Sequence, residues 1–144
     1  MHNVIKINLL GRVGSGKSSI LTLIENKYSD ITGDSAVYPE RIERALKVLE
    51  EARSGLLPEI SIKIASKLIP SDQLKRGEML LAIEGEMSRS INCQFMLSVI
   101  VPTLKEHGIP FTVSPDLSAH ISNPAVFPLD QLSVQYKEFY PKKG

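Results

Sequence analysis

Gly11-Arg12-Val13-Gly14-Ser15-Gly16-Lys17-Ser18 lies between an apolar run, Val4 to Leu10 (VIKINLL), and Ser19 to Tyr28, in which Ile20, Leu21, Leu23 and Ile24 recur at helical spacing. The local order is therefore strand, glycine-rich loop, helix. The octet has the form G-x-x-x-x-G-K-[ST], and each fixed position has a physical reason. Glycines let consecutive backbone N–H groups converge on phosphate oxygens, the lysine reaches the β and γ phosphates, and the hydroxyl suits Mg²⁺. The helix that follows adds the positive end of its dipole. Four fixed positions at ordinary residue frequencies recur by accident in well under about 1% of chains of this length.

On these residues the chain resembles the P-loop NTPase superfamily, through the Walker A motif set between Val4 and Tyr28. More loosely, the first 67 residues are similar to small phage-type P-loop proteins, with a Walker A unit, a short polar connection, a charged helix and a strand. The resemblance implies a compact α/β P-loop fold, with a mainly parallel sheet flanked by helices. It also implies a nucleotide-binding set of Gly11, Arg12, Gly14, Ser15, Gly16, Lys17, Ser18 and Ser19. Mg²⁺ is expected at Ser18, and ATP or GTP is the expected substrate.

Length and composition are compatible with that expectation. At 144 residues one domain is expected, long enough for a real core but short for a full P-loop sheet with substrate insertions. Hydrophobic residues at 42% and charged residues at 23% are ordinary for a soluble globular chain. Residues 1–76 carry 12 Lys/Arg against 9 Asp/Glu, and residues 77–144 carry 5 against 7, an imbalance too small to indicate nucleic-acid binding. Cys93 is the only cysteine, so an intrachain disulfide and a multi-cysteine zinc site are excluded; a buried small apolar side chain is the preferred reading. The N-terminus has no signal-peptide pattern and the apolar runs are too short to span a bilayer, so a cytoplasmic location is expected.

Along the chain, Lys6 and Asn8 alternate with Ile5, Ile7 and Leu9, which suggests that one face of the first strand is thinly covered. Tyr28 to Tyr38 has the Ser, Asp, Gly and Thr content of a loop and is placed near the phosphates. Its fragment Asp30-Ile31-Thr32-Gly33 matches D-x-x-G by accident, only 13 residues past Lys17. Pro39 opens an amphipathic helix with Ile42, Ala45, Leu46, Leu49 and Ala52 on one face, ended by Gly55. On that helix Arg41 and Arg44 are read as a solvated face. Glu59 to Ser66 alternates with period two and is a strand.

Residues 78–107 admit two readings. In one, Met79 to Ile83 is a buried strand ending at Glu84, Gly85 to Asn92 is a loop, and Cys93 to His107 is a helix. In the other, a single helix runs from near Gly77 past Ile91. The first is preferred, because five apolar residues followed by an acid and a glycine suit a strand that ends at a site. Pro102 should kink or start the later helix. Gly108 ends it, and Ile109 to Val113 follows as a strand that tolerates Pro110 at an edge or start. Residues 113–144 are expected to be an irregular, Pro-containing tail packed on the domain or on a protein partner.

Catalysis needs more than a phosphate loop. Lys17 is the expected catalytic cation, and Glu84 is the candidate second acid and Mg²⁺ ligand, with Glu86 and Asp34 as alternatives. Arg12 and Arg89 are possible contacts to a transferring phosphoryl group. His2, His107 and His120 lack metal-ligand spacing. The leading function is NTP hydrolysis or phosphoryl transfer to a small hydroxyl acceptor, in the manner of a nucleoside or nucleotide kinase. The alternative is a nucleotide-binding regulatory or protein-interaction factor with little catalysis. No membrane partner is expected.

Overall fold

The alternation in β1 (Val4–Leu10) decides how the sheet is covered: Ile5, Ile7 and Leu9 are fully buried on one face, whereas Lys6 points outward on the other. The computed structural model describes residues 3–34, 37–69, 74–118, 121 and 126–141. Their order is β1, α1 (Lys17–Thr32), α2 (Pro39–Arg53), β2 (Ser61–Ala65), β3 (Glu78–Gly85) and α3 (Arg89–Phe95). A π-helical turn (Met96–Ile100), α4 (Val101–Glu106), β4 (Phe111–Val113), α5 (Pro115–Ser118), a 3₁₀ turn (Leu129–Gln131) and β5 (Ser133–Phe139) complete it.

The five strands form one mostly parallel sheet in the order β4-β2-β3-β1-β5. The pairings β4/β2, β2/β3 and β1/β5 are parallel; β1/β3, at the centre, is antiparallel. The chain is thus α/β, as its alternation of strands and helices leads one to expect. Because side chains alternate across a strand, the register puts Ile5, Ile7, Leu9, Ile62, Ile64, Met79, Leu81 and Ile83 on one face. All eight join the core with Ile20, Leu23 and Ile24 of α1 and with Phe95, Met96, Val99, Ile100 and Leu104. Each such side chain contributes roughly 1.5–3 kcal/mol by leaving water. Lys6, Lys63 and Lys137 occupy the opposite face and are exposed, but Asn8, Leu10, Ala65 and Ala82 on that same face are buried, so the thin coverage expected from β1 holds only at the lysine positions.

Several boundaries differ from the sequence reading for identifiable reasons. Residues 78–85 form a strand, so the single-helix alternative for this stretch is excluded. The helix expected from Cys93 begins earlier, at Arg89, because the Ser88 hydroxyl accepts from the Ile91 N–H at 3.3 Å and caps it. Pro102 acts as anticipated: it cannot donate a backbone hydrogen bond and its ring crowds the Ser98 carbonyl. The chain accommodates this by widening to the π turn over Met96–Ile100 before α4 resumes. Pro110 precedes β4, the edge strand, and its carbonyl accepts from the Ile62 N–H at 3.0 Å.

Two expectations are overturned. The segment from Tyr28 is not a phosphate-side loop, since α1 continues to Thr32 and Gly33 closes it in a left-handed conformation. Asp34 lies 16 residues beyond Ser18, or about 24 Å along a helix at 1.5 Å per residue. Nor is the stretch from 113 onward irregular throughout, because β5 extends the sheet beside β1 over seven paired positions, Val4↔Ser133 to Leu10↔Phe139. The tail is held to the domain by Tyr28, whose hydroxyl donates to the Leu132 carbonyl at 2.9 Å and also to that of Leu129. The Gln94 side-chain amide also bonds both backbone groups of Phe127, at 2.7 and 2.9 Å. His2 and His120 lie outside the described residues. Among the described residues no helix is long and apolar enough to cross a membrane.

Candidate functional site

The loop from Gly11 is suspended between both neighbours of β1. On the β5 side the Gly11 N–H donates to the Phe139 carbonyl at 3.1 Å. On the β3 side Arg12 Nε donates to the Leu74 carbonyl, the Gly77 N–H donates to Ser15 Oγ at 2.9 Å, and an Arg76 guanidinium nitrogen lies 3.5 Å from the Gly14 carbonyl oxygen. Ser15 is buried, its hydroxyl accepts from the Gly77 N–H and its own backbone N–H donates to the Arg12 carbonyl at 3.2 Å, so both groups are engaged in holding the loop. Gly14 and Gly16 adopt φ of 78° and 95°, left-handed values that side chains resist, which lets the chain turn into α1.

Gly16 is the N-cap of α1 and makes no side-chain cap. Lys17, Ser18 and Ser19 form the first helical turn, whose N–H groups have no intrahelical acceptor; Ile20 N is the first to bond back, to the Gly16 carbonyl at 3.1 Å. No acidic residue occupies that turn, so nothing competes with an anion for its amides or for the dipole. The Ser18 hydroxyl-bearing residue is exposed, whereas Ser19 is buried.

Lys17 is folded back on the loop. Its Nζ donates to the carbonyls of Gly11 at 2.7 Å and Arg12 at 2.8 Å, and lies 4.2 Å from the centre of the Tyr140 ring, within cation–π range. The residue is only 4% exposed. Burial holds its ammonium below the ordinary lysine range, opposed by the charge of Glu138.

Glu84 is not beside the loop. It ends β3 as expected, but β3 runs antiparallel to β1, so Glu84 stands opposite Lys6 and five residues short of Gly11. At about 3.3 Å per strand residue the separation is roughly 16 Å, which excludes Glu84 from sharing an ion with Ser18. Its carboxylate is instead structural, accepting from Asn8 Nδ2 at 2.8 Å and from the Leu68 N–H at 3.3 Å. Glu86 and Arg89 follow β3 at that same far end.

The acid brought to the loop is Glu138. It pairs in register with Leu9 in parallel β5, so it sits at the carboxyl end of its strand next to the carboxyl end of β1. With Ser18, Ser19, Thr22 and Glu25 of α1, Arg41 and Arg44 of α2, and Tyr136, it lines a cleft of about 510 Å³. Arg41 bonds Thr22 Oγ1 at 3.2 Å and pairs with Glu25 at 3.3 Å. Arg44 has no hydrogen-bond or ion-pair partner among the described residues. The Tyr136 hydroxyl is shielded from solvent and has no hydrogen-bond partner among the described residues, and burial raises its pKa, with the charge of Glu25 adding to the effect.

Glu138 and Tyr136 escaped sequence reasoning, although Ser133 to Phe139 (SVQYKEF) carries Val134 and Tyr136 at strand spacing. Prolines scattered through the tail obscured that period. Arg41 and Arg44 are exposed, as the reading of a solvated face expects, and they also line the cleft because α2 packs on α1. Comparison with known proteins finds no matching family model, no matching curated protein and no matching solved structure. Among the described residues no group of three or more His, Cys, Asp or Glu side chains is placed to hold a metal by itself.

Proposed function

We propose that this protein binds a nucleoside triphosphate, ATP or GTP, with its phosphates on the Gly11–Ser18 loop, and transfers the γ-phosphoryl group to a small hydroxyl acceptor or to water. The observation that carries this is the loop's setting: a buried strand, left-handed Gly14 and Gly16, and a helix opening at Lys17 with unpaired first-turn amides and no acid among them. These are the features that a polyphosphate uses. Lys17, buried on the loop's own carbonyls, exchanges those contacts for phosphate oxygens.

Mg²⁺ fits the residues present. The exposed Ser18 supplies one oxygen on the cleft, and this ion commonly completes its shell with substrate phosphates and waters rather than a protein cage. When bound, it neutralises charge on the β and γ oxygens. Glu138 takes the role that Glu84 cannot: its carboxylate accepts the proton from the attacking hydroxyl. The acceptor oxygen then bonds to the γ-phosphorus while the bond to the departing nucleoside diphosphate breaks.

A second reading, a nucleotide-binding regulatory or protein-interaction factor, draws support from Tyr140, whose ring packs on the Lys17 ammonium. Turnover separates the two. Titration calorimetry tests the shared premise: Mg²⁺-ATP or Mg²⁺-GTP binds the wild type, and Lys17→Ala weakens binding at least about tenfold, as expected for loss of a charge-assisted contact of about 1.5–3 kcal/mol. Absence of binding by either nucleotide overturns the proposal.

A further inference from the structure

Lys17 has a third neighbour besides the two loop carbonyls. A lysine ammonium has three N–H donors and no acceptor; here the carbonyls of Gly11 and Arg12 accept from it at 2.7 and 2.8 Å, and the centre of the Tyr140 ring lies 4.2 Å from Nζ. The sheet sets the ring there. β5 runs parallel to β1 as far as Leu10↔Phe139, and the Phe139 carbonyl accepts from the Gly11 N–H at 3.1 Å, so the next residue, Tyr140, falls beside the start of the loop. With both carbonyls and the ring in place Lys17 is only 4% exposed, although a phosphate-binding lysine has to present its ammonium to the ligand.

These covering groups differ in how readily they yield. Gly11 is fixed by that backbone hydrogen bond, and Arg12 by the bond from its Nε to the Leu74 carbonyl. Tyr140 comes just after the last residue of β5, is 57% exposed, and its hydroxyl makes no hydrogen bond among the described residues. Its hold on Lys17 is a cation–π contact, which is weak at a solvent-exposed site. We infer that Tyr140 is a gate on the phosphate loop: its ring caps the Lys17 ammonium, and an incoming polyphosphate displaces the ring before Lys17 takes hold of the phosphate oxygens. The inference rests on reading the loop as a phosphate site and adds a regulated step to it. Apparent affinity is reduced by the fraction of molecules in which the ammonium is open. Occupancy of the loop is thereby coupled to the position of the residue that leaves β5.

A gate opposes binding whereas a supporting side chain favours it, so the sign of the effect is the test. Titration calorimetry of the full chain uses Mg²⁺-ATP, Mg²⁺-GTP and Mg²⁺-tripolyphosphate, the last having the phosphates without a base, on wild type, Tyr140→Ala and Tyr140→Phe. The expected result is that Tyr140→Ala binds a nucleotide and tripolyphosphate about two- to fivefold more tightly than wild type, the factor to which an exposed cation–π contact corresponds. Tyr140→Phe keeps the ring and should match wild type. In ¹H–¹³C NMR the ring should shift the Lys17 ε-methylene protons in wild type and Tyr140→Phe but not in Tyr140→Ala, and saturating tripolyphosphate should abolish that shift. Persistence of the shift at saturation overturns the displacement. Equal or weaker binding of both kinds of ligand by Tyr140→Ala overturns the gate and leaves the nucleotide reading standing. Weaker nucleotide binding with unchanged tripolyphosphate binding also overturns it and makes Tyr140 a contact to the base. Tripolyphosphate that binds Tyr140→Ala more tightly, with neither nucleotide binding, upholds the gate and removes the nucleotide reading; no binding by any form overturns both.

Discussion

Glu84 and Glu138 bear the same functional group at opposite ends of one sheet, so replacing each with glutamine distinguishes a structural carboxylate from a catalytic one. Glu138→Gln keeps the shape of the cleft while removing the group proposed to accept the acceptor's proton. Nucleotide affinity should survive and turnover should fall by about 10²-fold or more, within the range of general-base catalysis. Glu84→Gln should leave turnover unchanged. Its effect should appear in stability, about 1 kcal/mol from weakening the bonds to Asn8 and the Leu68 amide. Steady-state kinetics and chemical denaturation of the two variants check both halves; lost turnover in Glu84→Gln with intact Glu138→Gln would reverse the assignment.

At the scale of elements, β5 joins fold to site. It protects the outer edge of β1, and its last carbonyl, that of Phe139, anchors Gly11. It also delivers Tyr136 and Glu138 to the cleft and is followed at once by Tyr140 over Lys17. Removing residues 133–144 therefore exposes the hydrogen-bonding edge of β1 and frees one side of the loop. The melting temperature should drop by about 10 °C or more, since a chain of this size loses roughly 2–5 °C per kcal/mol. Calorimetric nucleotide binding should weaken in parallel. Retention of both the wild-type melting temperature and affinity would show that β5 is dispensable. The π turn before Pro102 is an example of local chemistry acting through a longer element: the residue interrupts hydrogen bonding, yet Phe95, Met96, Val99, Ile100 and Leu104 on either side remain fully buried.

For the molecule as a whole, acid stability should respond to His107, at the end of α4, where the chain packs on the C-terminal part of α2 through the Arg53 contact to its carbonyl at 2.6 Å. Burial lowers the His107 pKa, and the charges of Arg53 and Lys27 lower it further, against the opposing effect of Glu106. The unfolded chain therefore takes up this proton first as pH falls, beginning near about 6.5. The stability contributed by neutral His107 is present above that pH and is lost as pH drops through the lower folded-state value. His107→Gln cannot titrate, so its melting temperature should fall less than that of the wild type between pH 7.5 and 5. Parallel thermal scans check this; identical pH dependence would assign the acid sensitivity to other groups.

Sequence alone determined the elements whose signals are local. Period-two burial in β1 and β2, helical periodicity in α1 and α2, the breaks at Pro102 and Pro110, and the glycine geometry of the loop all follow from steric and solvation preferences acting over a few residues. The candidate phosphate residues were legible for the same reason, being contiguous from Gly11 to Ser19. Strand direction was not. Whether β3 lay parallel or antiparallel to β1 decided which end of the sheet received Glu84, and both arrangements bury the same apolar face of Met79, Leu81 and Ile83. Only tertiary pairing could therefore remove Glu84 from the loop and bring Glu138, distant by 120 residues from Ser18, to the same cleft. That juxtaposition depends on long-range packing of β5 against β1 and of α2 against α1, and no local propensity encodes it.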